Sequence, residues 1–330
     1  MPPPRLPALD DLDLRALRVI DALSRTGSIT AAAAELQFSQ PAVSQQLKRL
    51  ETKLGLAVIE RAGRGVRLTE AGEVLARHAR VIVAELEHAV SGLAELSGLR
   101  SGRLRLASFP SASAVIVPEL LKRIRAEHPG LATSYRELEP PQAIDAVRQG
   151  DLDVALTFSY PGDGVGLIGE SLPGLRVEHL WREEMFVALP ANHPLAGEAR
   201  VSLAQLSDET WIAGCPRCRG HLVAAAESSG FTPRISHETD NIVAVMSMVA
   251  ASLAVALVPR LAVAAAQSLP AEAVVLPIRE DNHRILSLVS PLSAGDAPAV
   301  AAAREACRQL DPAMWHLEYA HQPATPRSHR

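Results

Sequence analysis

A short run of polar side chains has the types and spacing needed to read base edges in DNA. Gln40, Ser44 and Gln45 fall on one side of a helical stretch, whereas Val43 and Leu47 fall on the other. Amide and hydroxyl groups on an exposed helix face can hydrogen-bond base edges in a major groove. An ordinary solvated helix face would carry the same residue types. We therefore predict base contacts for the three polar residues only if the surrounding elements form a DNA-binding domain.

Other residues in this stretch could hold the phosphate backbone. Ser39 is placed to cap the helix, and Pro41 fits its first turn, where the missing N–H of proline costs nothing. Lys48 lies further along the helix, and Arg64 lies at the tip of a basic, glycine-rich hairpin over residues 61–67. We expect Ser39, Lys48 and Arg64 to contact phosphates, which position a protein on DNA without specifying a sequence.

Cys215 and Cys218 form a Cys-x-x-Cys pair, which can close into a disulfide on oxidation. Arg217 would lower a nearby thiol pKa and favour the thiolate. His221 follows at metal-ligand spacing, but a structural zinc site needs four ligands and Cys307 is far along the chain, so we expect no metal. The alternative to a redox switch is two partly buried structural thiols, and the usual state of unpaired cysteines favours it.

Several polar residues near predicted strand ends could hold the oxygens of a small anion. Three of them are serines that precede a helix, whose N-terminal amides attract anions, although they could equally hydrogen-bond within their own turn. The aspartate among them could instead cap the following helix. The candidate effector-binding residues are Ser108, Ser111, Ser113, Thr157, Arg217 and Asp240.

The DNA-reading residues lie within a predicted domain of three short helices and a hairpin over residues 12–69. Apolar residues three apart begin at Leu14, and Gly27 ends this first helix. A second, alanine-rich helix opens at Ser28, and a tight break separates it from the third. This order predicts a helix-turn-helix over about residues 29–48, followed by a basic wing. The pattern is far more specific than three helices alone.

The charge distribution supports the same assignment. Residues 12–69 contain nine Lys or Arg and five Asp or Glu, a net of +4, whereas the whole chain of 330 residues carries −4. The remainder of the chain therefore carries −8. A basic domain joined to an acidic remainder is typical of a protein in which only the first part meets phosphate.

Residues 70–100 are predicted to form one long helix with an apolar seam. Its spacing alternates between four and three, which is typical of a coiled coil. The seam consists of Leu75, Ala79, Ile82, Leu86, Ala89, Leu93 and Leu96. Packing on its own domain is the alternative, but a helix this long has little to pack against, so we favour pairing with a second copy. Two copies would present two DNA-reading helices together.

From Ser101-Gly102 onward strands and helices alternate, which predicts an α/β domain over residues 101–312 with a parallel sheet covered on both faces. Two lobes are expected, lobe I over 101–172 and 271–312 and lobe II over 173–270. The cleft between two such lobes is the natural place for a small ligand.

The chain is expected to cross between the lobes near residues 158–174 and 269–274. Residues 1–11 are expected to be disordered, and residues 313–330 form a tail whose last eleven residues are rich in His, Pro and Arg.

The N-terminal pattern closely resembles that of the LysR-type transcriptional regulators. The matching residues are Leu14–Leu17, Ser28, Ala32–Leu36, Ser39–Ser44, Leu50–Glu51, Leu54–Gly55, Glu60–Arg61 and Arg67–Gly72. Ile59 departs from the usual phenylalanine, an exchange of one apolar residue for another. Looser similarities follow at Gly150–Ala155, Pro190–Pro194, Gly230–Phe231 and Val255–Pro259.

The resemblance implies an α plus α/β architecture: a winged helix-turn-helix, a linker helix that makes the dimer, and a two-lobed effector domain like the periplasmic binding proteins. It also implies that carboxylate-bearing effectors bind near the serines named above. Ser252 and Ala254 stand in a turn where the family usually has glycines. We therefore expect that turn to lose a position tolerating positive φ and to differ in conformation.

Other classes of function receive little support. The chain has no Gly-x-Ser-x-Gly, no Gly-x-Gly-x-x-Gly after a strand and no His-Glu-x-x-His motif, so we expect no enzyme and no cofactor. A solute-binding protein would leave the N-terminal domain unexplained, and a thiol redox enzyme would turn over a dithiol substrate. Three cysteines, no secretory signal and no long uncharged apolar run indicate a cytoplasmic protein outside the membrane. We expect a homodimer or homotetramer that binds double-stranded DNA and a small effector, such as an organic anion.

Overall fold

The computed structural model describes residues 8–62, 65–96, 102–161, 172–266, 269–294 and 297–320. Expectations for the extreme N-terminus, for Arg64, for the end of the long helix beyond Leu96 and for the last ten residues lie outside these ranges. The chain divides into two compact units, residues 1–99 with 146–151 and residues 100–145 with 152–330. No helix in the described part has the length and apolar character that a bilayer crossing requires.

The first unit contains the three helices, the hairpin and the long helix that the sequence predicts. They are α1 (Leu14–Thr26), α2 (Ile29–Glu35), α3 (Gln40–Leu54), β1 (Ile59–Ala62), β2 (Gly65–Leu68) and α4 (Glu70–Leu96). The strands β1 and β2 pair antiparallel with Ile59 opposite Leu68, which forms the wing. Buried Ile20, Val43 and Leu47 form the centre of one core beneath these elements.

The ends of α1 and α3 follow from local chemistry. Asp13 Oδ1 accepts a backbone N–H at 2.8 Å and caps α1, and Ser39 Oγ does the same at 3.3 Å for α3. Gly27 and Gly55 end the two helices with φ values of 63° and 68°, a left-handed conformation that suits glycine. Asp13 also accepts a 3.1 Å hydrogen bond from Gln46 Nε2, which ties α3 to the start of α1.

The ordered chain begins before residue 12. Leu9–Asp11 forms a 3-10 turn in which the Asp11 side chain accepts the Ala8 N–H at 2.8 Å. Asp11 is buried. The expected disorder over residues 1–11 is therefore wrong for residues 8–11, because this local hydrogen bond closes a turn.

The apolar side of α4 is buried along its first part and exposed along its second. Ala76 belongs to the core of the first unit, Leu75 packs against that core, and Ala79 is fully buried. Further along, an apolar row is exposed, consisting of Ile82, Leu86, Val90 and Leu93. The seam predicted from spacing thus packs within the first unit at Leu75 and Ala79 and becomes exposed from Ile82 onward.

The second unit alternates strands and helices. Its strands are β3 (Gly102–Ser108), β4 (Leu131–Glu137), β5 (Val154–Ser159), β6 (Leu175–Pro190), β7 (Thr210–Ala213), β8 (Arg234–Glu238), β9 (Val255–Pro259), β10 (Ala273–Pro277), β11 (His283–Pro291) and β12 (Glu318–Tyr319). Its helices are α5 (Pro110–Glu127), α6 (Pro140–Arg148), α7 (Pro216–Ser228), α8 (Ile242–Ala250), α9 (Arg260–Ala265) and α10 (Pro298–Arg308).

The two lobes share one long strand, and this corrects the expected crossings. The first part of β6 pairs with β11 in lobe I, and its last part pairs with β9 and β10 in lobe II. The chain therefore crosses inside β6 near Glu184 and returns between β10 and β11. β6 stays one strand over Leu175–Pro190, because pairing to both lobes keeps its polar middle extended.

The sheet is mixed rather than parallel. β3 runs parallel to β4 and β5, whereas β11 and β6 are antiparallel to their neighbours, in the order β4-β3-β5-β11-β6-β9-β7-β8. An antiparallel pairing follows because β11 enters lobe I from the opposite end after the return crossing. The fold class is otherwise as expected.

Proline marks the start of two helices of the second unit. α5 and α7 begin at Pro110 and Pro216, since proline is tolerated in a first helical turn. α9 was not foreseen. Beyond residue 312 the chain stays packed: Trp315 and Leu317 are buried, and β12 pairs with β6.

The turn after α8 also corrects an expectation. Ser252 adopts a φ of 57°, the left-handed conformation that glycine would provide. Its hydroxyl donates to Asn192 Oδ1 at 3.4 Å. The turn therefore keeps a positive φ although serine, unlike glycine, adopts this conformation only rarely.

Candidate functional site

Helix α3 buries one side and presents a polar one. Val43 and Leu47 are buried, whereas Gln40 and Gln45 are exposed and Ser44 is half-buried. Gln40 Nε2 donates a 3.1 Å hydrogen bond to Ser44 Oγ. Two of the three predicted base-reading side chains are therefore already aligned one helical turn apart.

The residues predicted to meet phosphate lie around the same helix. Ser39 and Pro41 are exposed at its N-terminus and Lys48 is exposed further along. In the wing, Arg67 Nε lies 2.6 Å from Glu60 Oε1, so this arginine is paired within its own hairpin. Arg64 lies outside the described residues.

The second unit has a cavity of about 90 Å³ between the two lobes. Most of its lining is apolar, including Phe109 and Phe158 of lobe I and Ile242 and Val245 of lobe II. The lining side chains that carry chemistry are Ser111, Glu139, Cys218, Asp240 and Arg284. The predicted cleft is thus present, and its functional groups come from widely separated parts of the sequence.

A buried ion pair lies beside the cleft. Glu183 and Arg284 stand opposite each other on β6 and β11, and Arg284 Nε donates to Glu183 Oε2 at 2.6 Å. Glu183 Oε1 accepts the Leu261 N–H at 2.6 Å, and Arg284 donates to Ser111 Oγ at 2.8 Å. Burial would lower the pKa of Arg284, but the Glu183 carboxylate raises it above its ordinary value. The positive charge of Arg284 is therefore already neutralised by the Glu183 carboxylate inside the protein.

Only part of the predicted effector set faces the cleft. Ser111 and Asp240 line it. Ser108 is fully buried, and Ser113 lies inside α5, where it donates to the Phe109 carbonyl at 2.8 Å. Neither of these two serines is among the residues that line the cavity, contrary to the expectation.

Thr157 and Arg217 are also displaced from the expected position. Thr157 is buried and donates to the Ser287 carbonyl at 3.5 Å beside a separate small void. Arg217, inside α7, places its guanidinium 5.9 Å from the centre of the Phe158 ring instead of lining the cavity. Neighbouring residues of a strand face opposite sides, so Phe158 rather than Thr157 points toward the cleft.

The two thiols of the Cys-x-x-Cys pair are adjacent. Cys215 caps α7, and its Sγ donates to Cys218 Sγ at 3.2 Å. This hydrogen bond and burial raise the pKa of Cys215, whereas it lowers the pKa of Cys218 against the effect of burial, with help from Arg284. Tyr160 also donates to Cys218 Sγ, at 3.5 Å. Cys218 is therefore the thiol more disposed to ionise.

The other predicted metal-type residues lie elsewhere. The His221 ring stacks on Tyr160 with centroids 3.8 Å apart, and its Nε2 lies 2.6 Å from Asn282 Oδ1. Cys307 is buried in the main core, where burial raises its pKa to about 12. Neither joins the thiol pair.

Two carboxyl groups approach the thiols. Burial, then the neighbouring Cys215 and Asp240, raise the pKa of Glu139 to about 8, and Arg284 opposes the rise. Burial also raises the pKa of Asp240, which the Cys215 backbone partly offsets. Glu139, Glu183 and Arg284 were missed by sequence reasoning. The available signal was a charged residue embedded in an apolar strand, as at Arg284 beside Ile285.

A winged helix-turn-helix with an exposed polar face, followed by a two-lobed domain with a small cleft, defines a ligand-responsive DNA-binding regulator. Residues 14–73 match the family model described as bacterial regulatory helix-turn-helix protein, lysR family, and residues 97–311 match that of the LysR substrate binding domain. The chain belongs to the LysR family of DNA-binding transcriptional regulators.

Individual relatives agree with this assignment. The probable HTH-type transcriptional regulator LrrA of Synechococcus elongatus is 30% identical over 310 residues, which cover 91% of this chain and 98% of that protein. The RuBisCO operon transcriptional regulator of Allochromatium vinosum is 33% identical over 201 residues, 61% of this chain and 63% of that protein. A full-length OxyR variant from Pseudomonas aeruginosa shares the fold, with a TM-score of 0.74 at 21% identity over 94% of this chain and 99% of that one.

The buried ion pair generates a stability prediction. Glu183→Gln should lower the free energy of unfolding by about 3 kcal/mol, because it leaves the Arg284 charge buried without a counter-charge. Urea denaturation followed by circular dichroism measures the change. Glu184→Gln, on the opposite face of the same strand, is the matched control and should cost far less. Equal losses for the two variants would mean that the pair contributes no special stability.

Proposed function

We propose that α3 enters the major groove and that Gln40, Ser44 and Gln45 contact base edges there. The observation that carries this proposal is the polar side of α3, where Gln40 and Ser44 are held in register by their own hydrogen bond. Side chains that are already aligned lose less conformational freedom on binding. The opposite side packs into the core, so the polar side is free to meet DNA.

Phosphate contacts fall to residues at the edges of this surface. Ser39 and Lys48 are exposed at either end of the polar side, and Arg64 of the wing tip completes the set. Pro41 lies exposed in the first turn of α3, beside Ser39. These contacts set the position of the domain on DNA and supply the salt-dependent part of the affinity.

We propose that two copies associate through α4. Val90 and Leu93 are each about two-thirds exposed, and Ile82 and Leu86 lie on the same part of the helix. A row of exposed apolar side chains along a helix is stabilised by packing against a second helix. A pair of such chains would present two α3 helices to two half-sites.

The cleft of the second unit is the proposed effector site. Its apolar walls exclude water, and a few polar groups converge on one end, as in small-molecule sites. An organic anion fits this site poorly, because Glu139 and Asp240 line it with carboxyl groups and the charge of Arg284 is already paired with Glu183. The protein is proposed to act in the cytoplasm by binding rather than by catalysis, since it must reach DNA and keeps its described thiols unpaired.

The thiol pair supports a second candidate activity, the sensing of oxidants. Cys218 as thiolate would attack a peroxide oxygen, releasing one water or alcohol and forming a sulfenic acid. Cys215 would then attack that sulfur, releasing water and closing a disulfide. The observation favouring this is the 3.2 Å between the two sulfur atoms.

The DNA contacts can be separated by function. The double variant Gln40→Ala/Ser44→Ala should lose at least about tenfold in preference for its own upstream DNA over unrelated DNA, because base contacts carry the discrimination. Lys48→Ala should weaken both equally and reduce the slope of log affinity against log salt by about one. Gel-shift titrations at several salt concentrations measure both effects. Unchanged discrimination in the double variant would refute base reading by these residues.

Self-association through α4 has a direct test. Leu86→Glu together with Val90→Glu should convert the protein to a smaller species in analytical ultracentrifugation, because charge in a buried apolar interface is costly. Arg77→Glu lies on the opposite side of α4 and serves as the control, with no change in size expected. A double variant that sediments like the wild type would exclude the exposed apolar row as the interface.

Oxidant sensing is tested by mass spectrometry of the treated protein. Hydrogen peroxide should remove two hydrogen atoms from the peptide containing Cys215 and Cys218, and a thiol reductant should restore them. Cys218→Ser should abolish the disulfide, whereas Cys307→Ser should leave it intact. Stepwise oxidation of Cys215 and Cys218 without a disulfide would contradict the proposed switch.

A further inference from the structure

Three segments of the chain bring metal-ligating atoms together at the cleft. Glu139 lies between β4 and α6 in lobe I, while Cys215 follows β7 and Asp240 follows β8 in lobe II. One ligand atom from each of the three lies within 4.8 Å of the other two. Cys218 Sγ lies 3.2 Å from Cys215 Sγ but outside that set of three mutually close atoms, so its side chain would have to turn toward the carboxyls to act as a fourth ligand.

The four atoms form a donor set with a clear preference. Two thiol sulfurs and two carboxylate oxygens match the ligands of four-coordinate zinc, at about 2.3 Å for sulfur and 2.0–2.2 Å for oxygen. Ligand atoms around such an ion lie roughly 3.3–3.8 Å apart, so movements of about 1 Å would bring the atoms of Glu139, Cys215 and Asp240 to that spacing, and a larger rotation would bring in Cys218 Sγ. Hard cations such as Mg²⁺ prefer oxygen ligands alone and would be excluded by the sulfurs.

An unsatisfied atom points to a ligand at this position. Glu139 Oε2 is buried and has no hydrogen bond of ordinary geometry among the described residues, and the neighbouring Cys215 thiol contributes to its raised pKa. A buried carboxyl oxygen without a partner is costly, and a bound cation would remove that cost. The nearby positive charge of Arg284 is already offset by Glu183 at 2.6 Å, which leaves the carboxyls to face the cleft.

We propose that the cleft binds one zinc-class divalent ion through Glu139, Cys215, Cys218 and Asp240. This inference deepens the proposed function and rests on it in one respect, namely that the cleft is the effector site. Because Glu139 belongs to lobe I and the other three ligands to lobe II, the ion would tie the lobes together. Each thiol that ligates releases its proton to solvent, with no redox change.

Local spacing in the sequence concealed this site. Two cysteines and His221 gave only three neighbouring candidates, and His221 is engaged by Tyr160 and Asn282. The missing ligands are Glu139 and Asp240. Both lie far from the two cysteines along the sequence, and neither is part of a metal-binding motif. Cys-x-x-Cys thus supplies half of the donor set, and the meeting of the lobes supplies the rest.

The test uses the reduced, metal-free full-length protein. Zn²⁺ competition against a chromophoric chelator measures affinity and stoichiometry, and Co²⁺ substitution reports the ligands through its visible bands and its thiolate charge-transfer absorption. We expect one ion per chain, four-coordinate Co²⁺ bands and a thiolate band. Cys218→Ser and Glu139→Gln should each weaken Zn²⁺ binding by at least about tenfold. Cys307→Ser and Glu227→Gln, a buried thiol elsewhere and an exposed carboxyl on α7, are the matched controls and should bind normally.

The outcomes separate the two proposals. Zn²⁺ binding that survives Cys218→Ser and Glu139→Gln, or Co²⁺ spectra without a thiolate band, overturns the metal site.

Gel shifts with and without Zn²⁺ are run on the same preparations. DNA binding that responds to Zn²⁺ in the wild type but not in Glu139→Gln supports the ion as effector. A protein that binds Zn²⁺ but no DNA would defeat the proposed function while leaving the metal site standing. DNA binding without Zn²⁺ uptake would overturn the metal site while leaving the proposed function standing. Zn²⁺ uptake with unaltered DNA binding would refute only its role as effector.

Discussion

The buried pair of Glu183 and Arg284 is the interaction on which the second unit depends. The two residues are opposite each other on β6 and β11, where β6 passes between the lobes and β11 begins after the return crossing. Glu183 is fully buried and Arg284 almost so, and each uses its remaining capacity on a different neighbour, the Leu261 N–H and the Ser111 hydroxyl. An ion pair this deeply buried is stable only when such further hydrogen bonds are made. It therefore fixes how α5, α9 and the central strands meet around the cleft.

This constraint also sets the chemistry of the cleft. Arg284 lies over Phe109 and Phe158, 4.8 and 4.5 Å from their ring centres. Its charge is neutralised by the ion pair with Glu183. What remains to face a ligand is a pair of carboxyls, Glu139 and Asp240, beside the thiols. The expectation of an organic anion came from serines and a helix N-terminus. Of those serines only Ser111 lines the cleft, where its hydroxyl accepts from Arg284, and the charged groups beside it are the two carboxyls.

In the first unit, most of the architecture could be predicted because each signal was local. The caps at Asp13 and Ser39 and the glycines at 27 and 55 fix helix ends within a few residues of themselves. The seam of α4 was predicted less completely. Periodicity identified the apolar face, but only the packed core shows that Ala76 and Leu75 belong to the DNA-binding unit and that the exposed row begins near Ile82.

The class of protein, the three-helix order, the wing and the polar side of α3 follow from the sequence, since these depend on spacing and caps within a few turns. The shared strand β6, the placement of Glu183 against Arg284, and the meeting of Glu139 with Cys215 and Asp240 follow only from the folded chain. These contacts join residues tens to more than a hundred positions apart. Their partners are chosen by burial and charge compensation across the lobes, which no local pattern records.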